Sequence, residues 1–302
     1  MIEVSPEKTK TFGYTIIALM AFAANSVLCR IALKDNAIDA SSFTAIRLLS
    51  GIAMFVILLS LKSKKSNDMP KATNGNRWPA LMLFLYAVTF SFAYVSLDTG
   101  TGALVLFGAV QLTMITASII AGNRLHLSEW LGLVISFAGL VYLVYPSITT
   151  PSIFDFLLMA VSGVAWGAYS LAGRGSSNPL RDTALNFKLT APLVLILALM
   201  TIPLINISLE GVLLAVMSGA FASALGYTVW YIALGGLSAT EASVVQLLVP
   251  VIAAMGGVLF VSESITTRLV VASVLVLGGI LTVVLGGCPR IETVARKPPF
   301  RL

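Results

Sequence analysis

The sequence predicts an all-α polytopic membrane protein whose ten transmembrane helices form two five-helix repeats of opposite orientation. Three observations carry that prediction: a composition that is 58% hydrophobic and only 11% charged, ten apolar runs of membrane-crossing length, and a weak self-similarity between the two halves. Soluble domains carry roughly 45–50% apolar and about 25% charged residues. A chain of 302 residues with no polar block between its apolar runs cannot cover a water-facing surface.

Crossing about 30 Å of hydrocarbon takes roughly 20 helical residues. Runs of that kind span residues 11–33, 42–61, 78–97, 101–121, 127–145, 153–173, 183–205, 210–234, 239–261 and 266–286. Lipid does not tolerate open sheet edges and no barrel-like alternation is seen, so every run is expected to be helical. The chain accordingly divides into a tail (1–10), a first repeat (11–145), a second repeat (153–286) and a basic tail (287–302). Ala21 and Ala23 follow Lys8 and Lys10 in the A-x-A spacing of a cleaved leader. Glu3 and Glu7 are out of place in a leader and the apolar run continues to Leu33, so a retained helix is expected.

Charge sets the orientation. With the N-terminus inside, the inner segments hold Lys8, Lys10, Lys62, Lys64, Lys65, Lys71, Arg77, Arg124, Arg174, Arg181, Arg290, Arg296, Lys297 and Arg301, fourteen of the nineteen cations. The outer side keeps Arg30, Lys34 and Arg268. This positive-inside bias places both termini in the cytoplasm and accounts for the net charge of +6. The basic residues form no aromatic-interleaved patch, so no nucleic-acid partner is expected.

Other chemistries have little to build on. Cys29 and Cys288 fall on opposite sides of the bilayer, which argues against a disulfide. His126 has no Cys, His or acidic neighbours at ligand spacing and reads as a loop residue, so no metal is expected. The Gly-rich phosphate loop of ATP-driven pumps is missing, and no cofactor is implied. A membrane-embedded enzyme is the remote alternative, since no nucleophile with its base and no carboxylate pair lies at a plausible depth. Asp98, Glu129, Glu241 and Glu263 all fall near helix ends, so a gradient-coupled carrier and a facilitator both stay open.

The halves align at a spacing of about 137 to 141 residues: FTAIRLLSGIAMFVILL with ALNFKLTAPLVLILALM, setting Arg47 on Lys188, and SEWLGLVISFAGLVYLV with TRLVVASVLVLGGILTV, setting Gly139 on Gly278. Five helices per half is an odd number. The second half therefore enters the membrane from the other side, and a pseudo-twofold axis in the membrane plane relates the two. Arg47 lies toward the outer end of its helix and Lys188 toward the inner end of its own, where long stems can reach an interface. Interface anchors and the mouths of a shared pathway are the two readings.

Ala165-Trp166-Gly167 in the sixth run, Arg47 in the second, Ala242 through Pro250 in the ninth and Val261-Ser262-Glu263 at its end together resemble the ten-helix EamA-type members of the drug/metabolite transporter superfamily. The resemblance covers nearly the whole chain, from about Tyr14 to Gly287. Phe22 and Ala23 stand where a tryptophan and a glycine are usual, Gln111 replaces a proline, and Arg124 replaces a glutamate. The resemblance implies transport of small metabolites across the cytoplasmic (inner) membrane by alternating access, in the manner of bacterial amino-acid or metabolite exporters. Facilitated passage of other small solutes or drugs is the alternative.

Candidate site residues follow from side-chain character. Tyr86, Phe90 and Tyr94 repeat every four residues on one face of the third helix. Tyr227, Trp230 and Tyr231 cluster in the eighth, and Trp166 with Tyr169 in the sixth. Packing and interface belts explain most such stripes, but an indole deep in a membrane helix needs a partner for its N–H. Asn25, Ser26, Gln111 and Gln246 are polar at mid-depth and should face another helix or a wet cavity. Pro250 breaks a backbone hydrogen bond and is expected to kink or gate the ninth helix. A central cavity between the first, third, fourth, sixth, eighth and ninth helices is expected, suited to a neutral or zwitterionic compound with an apolar or aromatic group. A monomer and a homodimer are equally allowed.

Overall fold

The structure, a computed structural model, describes residues 6–63, 77–120, 122, 127–144, 153–173, 176–237, 242 and 245–286. Ten helices are described: α1 (Pro6–Lys34), α2 (Ala40–Ser63), α3 (Arg77–Ala93), α4 (Thr99–Ile120), α5 (Leu127–Val144), α6 (Ile153–Gly173), α7 (Pro179–Thr201), α8 (Leu209–Leu234), α9 (Leu248–Val261) and α10 (Thr267–Gly286). Six of them, α1, α2, α4, α6, α7 and α8, are long and apolar enough to cross a membrane. The apolar stretches of the other four are shorter. Arg124, His126, Glu241 and Cys288 lie outside the described residues. The first helix begins at Pro6, before the first apolar run, and passes through Ala21 and Ala23 without a break.

The contacts between helices repeat under exchange of each helix with the one five later. The α1–α9 contact is matched by α6–α4, α1–α8 by α6–α3, and α2–α8 by α7–α3, while α2–α7, α4–α9 and α5–α10 map onto themselves. That is the packing of two five-helix repeats related by a pseudo-twofold axis, and the odd helix number makes the repeats antiparallel.

Small residues set the close contacts on the axis. A methyl group at Gly139 would lie 2.8 Å from Leu275 Cβ, and one at Gly279 would lie 2.5 Å from the Gly132 carbonyl. Ser136 Oγ donates to the Gly132 and Val276 carbonyls at 2.9 and 3.1 Å. Gly139 is therefore matched by Gly279. The sequence alignment onto Gly278 was one residue out of register: Gly278 is exposed and meets nothing, because a one-residue slip rotates a helical position by about 100°.

The bundle is apolar outside and polar within, as lipid requires. Val56, Ile57, Leu195, Leu199, Leu259 and Phe260 are exposed, whereas Asn25, Thr44, Arg47, Gln111, Ser162 and Gln246 are buried. Trp78 and Trp130, near the starts of α3 and α5, are half exposed at one end of the bundle, as interface anchors are.

Candidate functional site

Helix α8 is not a uniform α-helix. Its middle, Met217–Leu225, is π-helical, between α-helical Leu209–Val216 and Gly226–Leu234. Hydrogen bonding from i to i+5 widens each turn, so Ser218 and Ser223, five residues apart, both turn inward and are buried. Between them Gly219 lies directly against the Arg47 carbonyl and the Ser50 hydroxyl, so a side chain there would collide with α2. The small-residue run Ser218-Gly219-Ala220 lets the two backbones touch.

Arg47 points into the bundle and is 1% exposed. Its Nη2 donates to Tyr227 Oη at 2.8 Å and Tyr86 Oη at 3.0 Å, and its Nε to Ser223 Oγ at 3.1 Å. The guanidinium carbon lies 5.2 Å from the Tyr86 ring centroid and 4.9 Å from that of Phe90, a cation–π arrangement. Asn25 Nδ2 also donates to Tyr86 Oη at 3.0 Å and receives Ser218 Oγ on its own oxygen at 2.5 Å. One cation thus ties α2 to α3 in its own repeat and to α8 in the other.

This burial corrects the expectation of an interface anchor. The residue starts about 10 Å of helix inside Ala40, but its stem runs across the bundle, where two phenols and a hydroxyl receive Nη2 and Nε and ring faces flank the guanidinium. Lys188 behaves differently. It is exposed on α7, out of phase with the buried stripe Thr183, Phe187, Thr190 and Val194, so the Arg47–Lys188 alignment does not carry over to packing.

Around the guanidinium the aromatic side chains form one connected cluster. Trp166 lies 4.6 Å from Tyr227, 5.0 Å from Tyr86 and 5.5 Å from Tyr169 between ring centroids. Phe22 meets Trp166 edge to face at 5.5 Å and Trp230 at 5.6 Å. Phe90 bridges Tyr86 at 5.3 Å and Tyr94 at 4.7 Å. These rings, all buried, occupy the space where a central cavity was expected. They stack on one another there because each ring is a better neighbour for the next than lipid or backbone would be.

Asn25, Tyr86, Phe90, Trp166, Tyr227 and Arg47 are therefore brought together, with Tyr94, Tyr169 and Trp230 at the edges of the cluster. Ser26 and Gln111 are buried. Gln246 is buried too and donates to the Ala242 carbonyl at 3.1 Å, while its Oε1 has no partner among the described residues. Pro250 is the third residue of α9, in the turn whose N–H groups have no intrahelical acceptor. Helical hydrogen bonding is interrupted at Leu247, which keeps right-handed helical dihedrals between helical Gln246 and Leu248, and Pro250 has no N–H to offer the carbonyl four residues earlier. Sequence reasoning missed Ser218, Ser223 and Phe22 as contacts. The five-residue spacing of the two serines in a run of small residues was the available signal.

At the Arg30 end of the bundle, side chains close three helix ends at once. Arg30 donates to Glu263 Oε1 at 3.1 Å, to the Tyr94 and Val95 carbonyls at 3.0 and 2.8 Å, and to Asp98 Oδ1 at 3.4 Å. Glu263 Oε2 accepts the Thr99 amide at 2.9 Å, and Lys34 donates to the Val261 carbonyl at 2.8 Å. Cations thus sit on helix C-termini and a carboxylate on an N-terminus, where the helix dipoles favour them.

A second clasp at this end joins the loop before α2 to the loop before α8. The Asp39 amide donates to the Asn206 carbonyl at 2.9 Å, the Ser208 amide to the Ala37 carbonyl at 2.9 Å, and the Asn206 amide to Asp39 Oδ2 at 3.0 Å. Asp39 also caps α2, accepting the Ser41 and Ser42 amides at 3.1 and 2.9 Å. Burial pushes its carboxyl up, but these hydrogen bonds outweigh that and hold it below the usual carboxylate range. At the opposite end Tyr231 Oη donates to the Tyr169 carbonyl at 3.4 Å, with its ring packed on Gly173, and Ser176 Oγ donates to Asp182 Oδ2 at 2.5 Å.

Comparison with known proteins agrees with this architecture. An uncharacterized protein of Pseudomonas aeruginosa is 44% identical over 288 residues, covering 95% of this chain and 98% of that one. An uncharacterized transporter of Archaeoglobus fulgidus is 30% identical, covering 76% and 82%. A probable amino-acid metabolite efflux pump of Escherichia coli is 22% identical, covering 69% and 78%. A solved structure described only as the crystal structure of a protein matches with a TM-score of 0.63 at 19% identity, covering 93% of this chain and 99% of that one, which shows a shared fold. The EamA-like transporter family matches twice, over residues 10–145 and 154–285, one match for each set of five helices. With both repeats matched, the chain belongs to the EamA-like transporter family.

Proposed function

We propose that the protein carries small zwitterionic or neutral metabolites, amino acids with apolar or aromatic side chains foremost, out of the cell by alternating access. The observation that carries this reading is the node at which the two repeats meet: Arg47 and Tyr86 from the first, Tyr227 and Ser223 from the second, set in a cluster of aromatic rings. Inverted repeats that touch through a few polar groups at mid-depth can rock about that point, exposing it to one face and then the other. Aromatic faces provide broad contact for an apolar side group, and a small number of polar groups orients it. Clasps at both ends of the bundle give the motion something to break on each side. The relative from Escherichia coli, 22% identical and described as a probable amino-acid metabolite efflux pump, supports amino acids as the first solutes to try.

Counterflow into proteoliposomes tests this. Vesicles loaded with unlabelled phenylalanine, leucine or tryptophan should accumulate the labelled compound only when the protein is present. Protein-dependent flux of other solutes with none of amino acids would overturn the substrate, and flux of nothing would overturn transport.

A further inference from the structure

The hydrogen-bonding groups around Arg47 do not balance, and the imbalance has one sign. Tyr86 Oη faces three donors, Asn25 Nδ2 at 3.0 Å, Arg47 Nη2 at 3.0 Å and Tyr227 Oη at 3.1 Å, with two lone pairs to receive them. Whichever phenol donates to the other, one hydroxyl proton of the pair has no acceptor. Arg47 Nη1, Trp166 Nε1 and Trp230 Nε1 are buried without a partner among the described residues. Trp166 lies against both phenols that hold the guanidinium. Around the guanidinium three donors are thus left over, Arg47 Nη1, Trp166 Nε1 and one phenol proton, with no acceptor for them among the described residues, while Trp230 Nε1 lies at the edge of the cluster.

The charge is unbalanced as well. An arginine cannot shed its proton, and among the described residues the ion pairs are those of Arg30 with Asp98 and Glu263, at the end of the bundle. Arg47 has only neutral oxygens and ring faces around it. A buried cation is costly unless an anion completes it, and buried donors without acceptors are costly too.

From this we infer that Arg47 is the subsite for the carboxylate of the transported compound. The inference rests on the transport reading above and narrows it to solutes bearing a carboxylate. When the repeats part, Nη2 loses Tyr227 and Nε loses Ser223, both from the second repeat, while Tyr86 stays beside Arg47 in the first. A carboxylate then bridges Nη1 and Nη2 through its two oxygens, the paired geometry a guanidinium favours. One cation matches one negative charge, which favours a carboxylate over a phosphate dianion. The aromatic cluster receives the remainder of the solute.

The test reads which functional group is bound, independently of flux. Thermal unfolding of the purified protein in an uncharged detergent, without anionic lipid, is followed with millimolar 3-phenylpropanoate, phenylalanine, phenylalaninamide, phenethylamine and phenyl phosphate, because a bound solute raises the midpoint. Phenylalanine and 3-phenylpropanoate should raise it, and the amide and amine should not. In R47K the apparent affinity for the acids should fall roughly 10- to 100-fold, since the charge stays but the paired contact is lost. In R47Q the shift should vanish.

An equal shift with the amide or amine, an undiminished acid shift in R47Q, a response to phenyl phosphate alone, or no response to either acid overturns the subsite. Should R47Q fail to fold, the wild-type series decides. Flux of amines or uncharged solutes in the counterflow experiment would leave the transport reading standing and remove this one.

Discussion

The Tyr227 hydroxyl lies 3.1 Å from the Tyr86 hydroxyl, one phenol from each repeat, and both share the same nitrogen of Arg47. At their centre the two halves of the molecule therefore meet on one shared nitrogen, flanked by the Ser223 contact to Nε and the Ser218 contact to Asn25.

Removing one phenol should be felt at the other. Tyr227→Phe takes away an acceptor for Arg47 and a partner for Tyr86, and should cost about 1–3 kcal/mol, the range for stranding a buried hydrogen-bonding group. Tyr86→Phe should behave alike. Because both lean on one nitrogen, the double variant should lose clearly less or more than the two single losses together, as coupled sites do. Thermal unfolding of the four proteins measures this, and strict additivity would show the phenols to be independent.

Gly219 should accept no side chain. Its position against the Arg47 carbonyl and Ser50 means that Gly219→Ala forces α2 and α8 apart, lowering the unfolding midpoint by several degrees. Gly278→Ala, at an exposed position with open space, should leave it unchanged or raise it slightly through the helix preference for alanine.

Breaking the ion pairs should loosen the Arg30 end. In a Cys288→Ser background, Cys29 is the remaining thiol and is fully buried. Glu263→Gln weakens the Arg30 contact and the cap on α4, so maleimide should label Cys29 several-fold faster than in the parent. Equal labelling rates would mean that Glu263 does not hold this end closed.

Acid should weaken the loop clasp through Asp39. Its carboxyl lies below the usual range in the folded protein, so the unfolded chain takes up the proton first as pH falls. Its contribution is complete above the usual aspartate value of about 3.9 and disappears as pH drops through the lower folded value. Asp39→Asn should lower stability at neutral pH and flatten this part of the pH profile, measured as unfolding midpoints between neutral and acidic buffers.

Helix number, the duplication and the aromatic faces were legible because each rests on many residues: a 20-residue apolar run or a four-residue repeat survives local irregularity. What could not be read was register and direction. Matching Arg47 to Lys188 treats both as cations near helix ends, but a slip of a single residue rotates a helical position by about 100°, and Phe187, next to Lys188, is buried where Lys188 is exposed. The π segment was equally hidden, since Ser218 and Ser223 meet the same interior only when the turn is widened. The pairing of Arg30 with Glu263 joins residues 233 apart, a contact that no local pattern announces.

The two carboxylates that meet Arg30 are not equally open to water. Glu263 is nearly buried, whereas Asp98 is more than half exposed. Salt screens exposed charges within a Debye length of about 8 Å at physiological strength and reaches buried pairs much less. Rising ionic strength should therefore release Asp98 first and leave Glu263 in place, so that this end slackens in two stages.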